Sequence, residues 1–334
     1  MKPPAQIATP MAKTRLDFDF DDRWAQLPPQ VSLGTTHGVA VDAEGFIHVL
    51  HTNQPGAVCL DCVIVLAPDG SFVRSWGPQF VDSGHGLHIT QEAGESFAYI
   101  TDLKRGLYKT TLKGEVVWRM EKPEFFAARP HLRYEPTNIA ITQQGDVFLA
   151  DGYGSYLIFR IDQNGKVVDV FGGPGVGDHH LAHPHGILYT ERSGRPSLLV
   201  AENIATRLNY LTLSGEHLGF IEVPTRRPRH FAEKADGTLA IPDFYSRLTL
   251  IDRDDKLINH ICDGWNATMR APFSELENRP PKENEFARPH DAAFDRLGNL
   301  YVVEYLPQGR IIRLGASGLV RERPGYEIAR ETCT

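Results

Sequence analysis

The sequence of 334 residues has no long apolar run and no concentration of positive charge. No apolar run approaches the roughly 18 residues of a membrane span, so no membrane association is expected. The first residues, MKPPAQIATPMAKTRLDFDFDD, lack the apolar stretch of a secretory signal. A net charge of -7 without a basic stripe argues against nucleic acid as a partner.

Cysteine is also scarce, with four residues in the chain. Cys59 and Cys62 form a C-x-x-C pair, but a structural zinc site needs a second pair of ligands, and no clear one follows. We therefore expect Cys59 and Cys62 to be two unpaired surface or loop thiols. With no signal segment, the expected location is cytoplasmic.

Short apolar runs joined by turn residues recur about every 45 residues, which is an internal repeat. Each copy has an apolar run, a polar turn closed by glycine, and a second apolar run that ends in a polar residue. A further pair of strand-like runs follows nearly every copy. The clear copies are 38–52, 138–152 and 291–305, and the weaker ones are 86–103, 186–203 and 230–244.

Four short strands per repeat predict an all-β fold, a six-bladed β-propeller with four-stranded antiparallel blades. Closing the ring removes open sheet edges and usually borrows a strand from the other terminus. Either residues 16–22 or the C-terminal tail can supply this closing strand. We predict a flexible arm over 1–15 and a single propeller domain over 16–334.

Equivalent positions of the repeats form a ring about the propeller axis. Aligned on the turn glycines, the first residue of each innermost strand is His37, His85, Thr137, His185, Arg229 and His290. His85, His185 and His290 belong to alternate blades, about 120° apart, so their imidazoles are predicted to form a three-coordinate metal site with an open position. Zinc suits imidazole, with iron, manganese or copper as alternatives. His37 is a candidate fourth ligand, substrate contact or supporting group.

A second ring lies at the end of the second strand of each repeat. Its members are His51, Asp102, Asp151, Glu202, Asp243 and Glu304, and the carboxylates are expected to accept backbone N–H bonds of the following loops. The residues after them point towards the channel mouth. Tyr153 and Tyr245 are candidates for acid–base chemistry. Lys104, Arg105 and Arg229 are candidate anion contacts.

These residues resemble NHL repeats, and in particular the lyase domain of the peptide-amidating enzymes, peptidyl-α-hydroxyglycine α-amidating lyase. The resemblance covers about residues 36–315 and rests on the segments GHGLHIT (84–90), EPTNIAITQQGDVFLADGY (135–153), HPHGILY (183–189) and RPHDAAF (288–294). It implies that His85, His185 and His290 bind zinc and that Tyr153 moves a proton. It also implies a structural Ca²⁺ held by Asp291 and the carbonyls of Val39 and Leu87. The family reaction splits a carbinolamide into an amide and glyoxylate.

Two positions differ from the family at the substrate end of its site. Thr52 and Asn203 stand where the family has arginines, whose bidentate contact with a carboxylate is hard to replace. We therefore expect a broader substrate class, a small polar or carboxylated molecule, with Arg229 supplying the missing charge. The candidate substrate-binding residues are Thr52, His51, Asn203, Lys104 and Tyr245.

Together these features predict a metal-dependent lyase with Tyr153 as its proton-transfer group and a small molecule as substrate. Two alternatives remain open. One is a metal-dependent hydrolase on the same propeller, since six-bladed propellers include calcium-dependent lactonases, whose sites use Glu, Asn and Asp with little histidine. The other is a non-catalytic NHL interaction module.

Overall fold

A computed structural model describes residues 18–175, 177–262 and 284–316. These residues form six four-stranded antiparallel sheets in a ring, so the predicted six-bladed β-propeller is confirmed. The helical content of the described chain is two short 3-10 turns, Pro78–Phe80 and Glu124–Phe126. Within these ranges no helix has the length and apolar character needed to cross a membrane.

The strands follow the repeat closely. Strand β1 (Phe18–Asp21) precedes the first blade, which contains β2 (Thr36–Val41), β3 (Ile47–His51), β4 (Val63–Leu66) and β5 (Phe72–Trp76). Blade two contains β6 (Gly84–Glu92), β7 (Glu95–Asp102), β8 (Gly106–Thr111) and β9 (Val116–Met120). Blade three contains β10 (Asn138–Ile141), β11 (Val147–Ala150), β12 (Leu157–Ile161) and β13 (Val167–Gly172).

The second half repeats the same order. Blade four contains β14 (Pro184–Thr190), β15 (Ser197–Glu202), β16 (Arg207–Leu211) and β17 (His217–Ile221). Blade five contains β18 (Ala232–Glu233), β19 (Leu239–Asp243), β20 (Arg247–Ile251) and β21 (Leu257–Ile261). Blade six contains β22 (Pro289–Phe294), β23 (Leu300–Glu304) and β24 (Arg310–Ala316), and β1 is its outermost strand.

The N-terminal strand closes the ring. Strand β1 pairs antiparallel with β24, with Phe18 opposite Ala316 and Asp21 opposite Arg313. Of the two closures that the sequence allowed, the structure uses the N-terminal segment. Closure pairs an edge that would otherwise be open to another chain. The predicted arm over 1–15 and the tail 317–334 lie outside the described residues.

The hydrophobic core lies between the blades. The described residues form six buried clusters, and each is built from the facing sheets of two neighbouring blades. The cluster between blades one and two, for example, joins Leu50 and Val63 to Ile100 and Tyr108. Because every blade is packed on both faces, its innermost strand is held at a fixed distance from the axis.

The C-x-x-C cysteines differ from the prediction of unpaired surface thiols. Cys59 and Cys62 are both buried, and Cys62 carries a free thiol while Cys59 is disulfide-bonded. The 0% exposure of Cys62 follows from its place directly before β4, where it packs into the core between blades one and two. Since disulfides persist mainly in oxidising compartments, the Cys59 bond does not favour the cytoplasm, which stays a prediction.

Candidate metal centre

Each histidine of the axial ring sits in a β-bulge. The pairing of the innermost strand shifts between Gly84 and Gly86, between Pro184 and Gly186, and between Pro289 and Asp291. The same shift flanks His37 in blade one. A bulge leaves one residue unpaired and re-aims its side chain. His85, His185 and His290 are the residues left unpaired.

The glycine after two of these histidines permits a close approach by the next blade. A Cβ at Gly86 would lie 2.7 Å from the carbonyl oxygen of Thr137, and one at Gly186 would lie 2.4 Å from that of Arg229. Both distances are too short for any other residue. The His-Gly dipeptide therefore brings an inner strand of the neighbouring blade against the ring.

The structure brings the three predicted ligands together. The ring centroids of His85, His185 and His290 lie 4.9, 5.0 and 4.8 Å apart, which is a nearly equilateral triangle. Their residues are 1%, 1% and 3% exposed. The threefold arrangement expected from alternate blades is therefore present on the axis.

One carbonyl oxygen orients each of the three rings. His85 Nδ1 lies 2.8 Å from the carbonyl of Thr137, His185 Nδ1 lies 2.9 Å from that of Arg229, and His290 Nδ1 lies 2.7 Å from that of His37. A carbonyl accepts only, so each Nδ1 must carry the proton and donate it. Each Nε2 then presents a lone pair to the axis. This is the orientation that supporting carbonyls give to metal-bound imidazoles.

Burial keeps these imidazoles neutral. It lowers the pKa of His85, His185 and His290 well below the ordinary value, and the positive charge of Arg229 adds to the effect. Neutral imidazole is the form that binds metal. His290 Nε2 is buried without a hydrogen-bond partner among the described residues, and an ion on the axis would satisfy it. The donor set therefore fits a divalent transition metal.

His37 lies beside His85 and His290, but its ring is bonded to a threonine hydroxyl rather than to a backbone carbonyl. Its ring is 5.1 Å from His85 and 5.0 Å from His290, and ligand atoms of these three residues lie within 4.8 Å of one another. Its Nε2 bonds Thr35 Oγ1 at 2.9 Å, while its buried Nδ1 has no partner in the described chain. Burial lowers its pKa to about 3. His37 therefore shares this close set of ligand atoms with His85 and His290, whereas His185 joins them through the spacing of the rings.

Tyr153 reaches the axis from blade three. Its hydroxyl is 3.2 Å from His85 Nε2 and 3.0 Å from His185 Nε2. The flanking glycines allow this turn, because a Cβ at Gly152 would lie 2.1 Å from a backbone carbonyl and one at Gly154 would meet the Asp151 carboxylate at 2.4 Å. The Asp-Gly-Tyr-Gly sequence thus places a phenol against the axial histidines.

Arg229, the ring residue of blade five, completes this group. Its Nη1 donates to the Tyr153 hydroxyl at 3.1 Å, and its guanidinium lies 3.9 Å from the ring centroid of Phe244. The residue is 7% exposed. Burial lowers the pKa of Arg229. The predicted positive charge is therefore at the site, directly against the predicted proton-transfer group.

The second-ring carboxylates accept backbone N–H bonds, as expected, but not all from the following loop. Asp102 and Asp151 accept from the following loop. Glu202, Asp243 and Glu304 accept instead from the loop that precedes the innermost strand of the blade. His51 does the same work, since its Nδ1 accepts from Asn53 N at 3.1 Å. His51 is fully buried, and its assignment as a substrate contact stays a prediction.

Thr52 and Asn203 stand where the amidating lyases have arginines, and both side chains bond to protein groups beside the channel. Thr52 Oγ1 bonds Thr35 Oγ1 at 2.8 Å, and Thr35 in turn bonds His37. Asn203 Nδ2 donates to the backbone carbonyls of Arg227 and Pro228 at 3.2 and 3.3 Å. Both side chains are therefore occupied in holding loops beside the channel.

The remaining candidates lie at different distances from the triad. Lys104 is exposed, and within the described chain no hydrogen bond joins its side chain to the ring residues. Arg105 forms an ion pair with Asp102 at 2.9 Å, and this pair engages its guanidinium. Tyr245 directly follows Phe244 in the sequence and accepts a hydrogen bond from Arg227 Nη1 at 3.2 Å. Tyr245 therefore belongs to the rim on the blade-five side.

Two residues of the site escaped the sequence analysis. His183 stacks on Tyr153, with centroids 4.9 Å apart at 28°, and burial lowers its pKa to about 4. Tyr305 lies 5.3 Å from His37, ring to ring. Signals existed for both: His183 is the first histidine of the His-Pro-His segment, and Tyr305 directly follows a second-ring acid.

The position predicted to hold Ca²⁺ is filled by protein groups. Asp291 Oδ1 accepts from His230 Nδ1 at 2.5 Å and from Ala292 N at 2.8 Å, and its Oδ2 accepts from Val39 N at 3.0 Å. A calcium ion prefers six to eight oxygen ligands. An imidazole against Asp291, the one carboxylate of the predicted ligand set, does not fit that preference, so no step is assigned to calcium.

No known family model matches the chain. Two curated relatives do match in sequence, both called NHL repeat-containing protein 3. The human protein is 26% identical over 180 residues, 51% of this chain and 50% of the relative, and the mouse protein is 26% identical over 164 residues, 46% of each. The chain therefore spans about half the length of the curated relatives it matches.

Solved structures show the same fold at low identity. A streptogramin B lyase has a TM-score of 0.59 at 14% identity, covering 91% of this chain and 99% of its own. Virginiamycin B lyase from Staphylococcus aureus with quinupristin gives 0.57 at 14%, covering 89% and 99%. A gluconolactonase from Xanthomonas campestris gives 0.57 at 13%, covering 85% and 86%. The propeller neighbours thus include enzymes of more than one class.

Proposed function

We propose that the protein is a metal-dependent lyase of the peptidyl-hydroxyglycine amidating-lyase type, acting on a small polar or carboxylated molecule. The observation that carries the proposal is the convergence of three buried Nε2 lone pairs, each fixed by an Nδ1 bond to the next blade. A purely structural histidine ring has no need to hold three lone pairs against one another. The lyase names among the fold neighbours are compatible with this class of chemistry but do not carry the proposal.

His85, His185 and His290, whose ring centroids lie 4.8–5.0 Å apart, would hold the ion. His37 would offer a further nitrogen, because its ligand atom lies within 4.8 Å of those of His85 and His290 and its buried Nδ1 has no partner in the described chain. A divalent metal in such a site supplies Lewis-acid polarisation of a substrate oxygen. The protein residues hold the coordinating atoms in place before substrate arrives, because each ring is locked by a backbone carbonyl. The buried surroundings exclude water and strengthen every polar contact made there.

Tyr153 is the proposed proton-transfer group. Its hydroxyl is within hydrogen-bond reach of His85, His185 and Arg229, so it is oriented at the face where substrate would meet the ion. The Arg229 guanidinium donates to the phenol oxygen and would stabilise negative charge that develops there as the proton leaves. His183 stacks on the phenol and limits its rotation.

Metal analysis of protein purified without a histidine tag tests the proposal. We expect about one equivalent of a divalent transition metal, lost in His185→Ala. His217→Ala is the matched control, because His217 lies on the outer strand β17 of the same blade and bonds Asn209. Folded wild-type protein that takes up no zinc, copper or iron on dialysis would refute the metal centre.

Turnover separates the roles of the residues. The first substrate to test is an N-acyl-α-hydroxyglycine, with glyoxylate release as the readout. Turnover should be slow, because Thr52 and Asn203 provide no guanidinium. Tyr153→Phe should retain the metal and lose about 10²–10⁴-fold in rate. Undiminished turnover in Tyr153→Phe would remove Tyr153 from the mechanism.

A further inference from the structure

Arg229 is a buried cation that has no carboxylate partner among the described residues. Its Nη1 donates to Tyr153, and its guanidinium covers Phe244 at 3.9 Å. Its Nε is buried without a hydrogen-bond partner in the described chain. Taking a guanidinium out of water is costly unless an anion or a full set of hydrogen bonds compensates it. The fold therefore carries a destabilising charge at the channel mouth.

The nearby acids are engaged elsewhere. Three second-ring carboxylates pair with arginines of their own blades: Glu202 with Arg207, Asp243 with Arg247, and Glu304 with Arg310. Asp291, next to the triad, is bonded to His230. No described carboxylate thus neutralises Arg229, and a divalent ion on the histidines would add two further positive charges.

More positive charge surrounds Arg229 on the same side. The Arg288 guanidinium lies 5.4 Å from the Phe244 ring, on which Arg229 also packs. Arg227 lies one residue before Pro228 and donates to Tyr245. Arg229 and Arg288 beside Phe244, together with Arg227 beside Tyr245, form the arginine cluster. It lies on blades five and six, whereas Thr52 and Asn203 lie on blades one and four.

We propose that the arginine cluster binds a carboxylate of the substrate, with the Nε–Nη2 edge of Arg229 as its bidentate partner. Nη1 is taken by Tyr153, so the opposite edge of the guanidinium is the one left for a ligand. That edge matches the two oxygens of a planar carboxylate. The inference rests on the proposed function, because a carboxylate held there places the rest of the molecule against Tyr153 and the metal ligands. The substrate class is then a small carboxylic acid.

Binding of phenylacetate tests this subsite. Its ring can contact Tyr305, which is only partly buried, and phenylacetamide is its neutral isostere. Calorimetry is run on metal-free and on zinc-loaded protein. Phenylacetate should bind both forms, phenylacetamide should bind at least tenfold more weakly, and Arg229→Gln should weaken phenylacetate about 10- to 100-fold.

Arg119→Gln is the matched control for loss of one positive charge. Arg119 is 57% exposed on β9 and pairs with Glu121, so its loss should leave phenylacetate binding unchanged. A second readout is independent of any ligand: Arg229→Gln should raise the melting temperature of the metal-free protein, because it removes an unpaired buried charge.

Each outcome is decisive for the subsite separately from the metal. Binding that survives Arg229→Gln but is lost in His185→Ala would overturn the arginine subsite and leave the metal proposal intact. Equal binding of the amide, or tighter binding of inorganic phosphate than of phenylacetate, would overturn the carboxylate assignment. Carboxylate binding by protein that takes up no metal would support the subsite and refute the proposed lyase.

Discussion

Replacing Gly186 by alanine should damage the metal centre without touching a ligand. A Cβ at this position would lie 2.4 Å from the carbonyl oxygen of Arg229 and 2.7 Å from the Cα of His230. Both are backbone atoms, so the clash cannot be relieved by rotating a side chain. The oxygen must move by about 0.6 Å to reach 3.0 Å, the lower limit of real Cβ contacts.

The carbonyl oxygen of Arg229 is the acceptor that orients the His185 ring. His185 Nδ1 donates to it at 2.9 Å, so its displacement lengthens or bends the bond that holds the Nε2 lone pair on the axis. Loss of such a supporting contact lowers metal affinity by about 10- to 100-fold. Overpacking a buried site also lowers the free energy of unfolding, here by about 1–3 kcal/mol.

The assay is zinc affinity measured by competition with a chromophoric chelator, alongside urea unfolding. Gly315→Ala is the matched control: Gly315 also lies in a strand, and its added Cβ would meet at closest the flexible end of Arg313 at 3.3 Å. Zinc affinity in Gly315→Ala should equal that of the wild type. Unchanged zinc affinity in a folded Gly186→Ala variant would refute the idea that the Arg229 carbonyl positions His185.

Three further predictions test the channel, the core and the closure. Removing Ca²⁺ with EGTA should leave the melting temperature unchanged, because His230 already satisfies Asp291; stabilisation by several degrees on adding Ca²⁺ would contradict this. Burial raises the pKa of the Cys62 thiol to about 12, so at pH 8 native Cys62 should resist maleimide and react only after unfolding; rapid labelling of folded protein would show that the site opens. Phe20→Ala should lower the free energy of unfolding by about 2 kcal/mol in urea, because the β1 side chain packs 5.6 Å from Phe286; no loss would mean that β1 is not part of the closed ring.

The sequence predicts the ring of histidines because a repeat turns spacing along the chain into position around an axis. Aligning the turn glycines places His85, His185 and His290 on alternate blades, and the inner strands hold them 4.8–5.0 Å apart. Tyr153 was predictable from its Asp-Gly-Tyr-Gly turn. The repeat also predicts the second-ring carboxylates, whose partners are the backbone groups of adjacent loops.

The rest of the site depends on loops, which the repeat does not position. His183 stacks on Tyr153 with a φ of 65°, a conformation that no periodic pattern signals. The pairing of His230 with Asp291 joins blades five and six through side chains whose separation in sequence is 61 residues. The prediction that Cys59 and Cys62 are surface thiols is wrong because their burial depends on packing between blades. The C-x-x-C spacing does not signal that packing.

The alternation of the ring explains how one fold combines a symmetric histidine cluster with a set of neighbouring side chains that differ from one another. Blades two, four and six contribute imidazoles, while the ring residues of blades one, three and five contribute the carbonyl oxygens that anchor them. An anchor uses only the backbone, so the side chains of His37, Thr137 and Arg229 are free to differ. Thr137 turns its hydroxyl to the Pro184 carbonyl at 3.0 Å, His37 offers a further nitrogen, and Arg229 carries a charge to Tyr153. Ligand identity is therefore constrained on three blades, and substrate selection is expected to reside in the side chains of the other three, with Arg229 foremost among them.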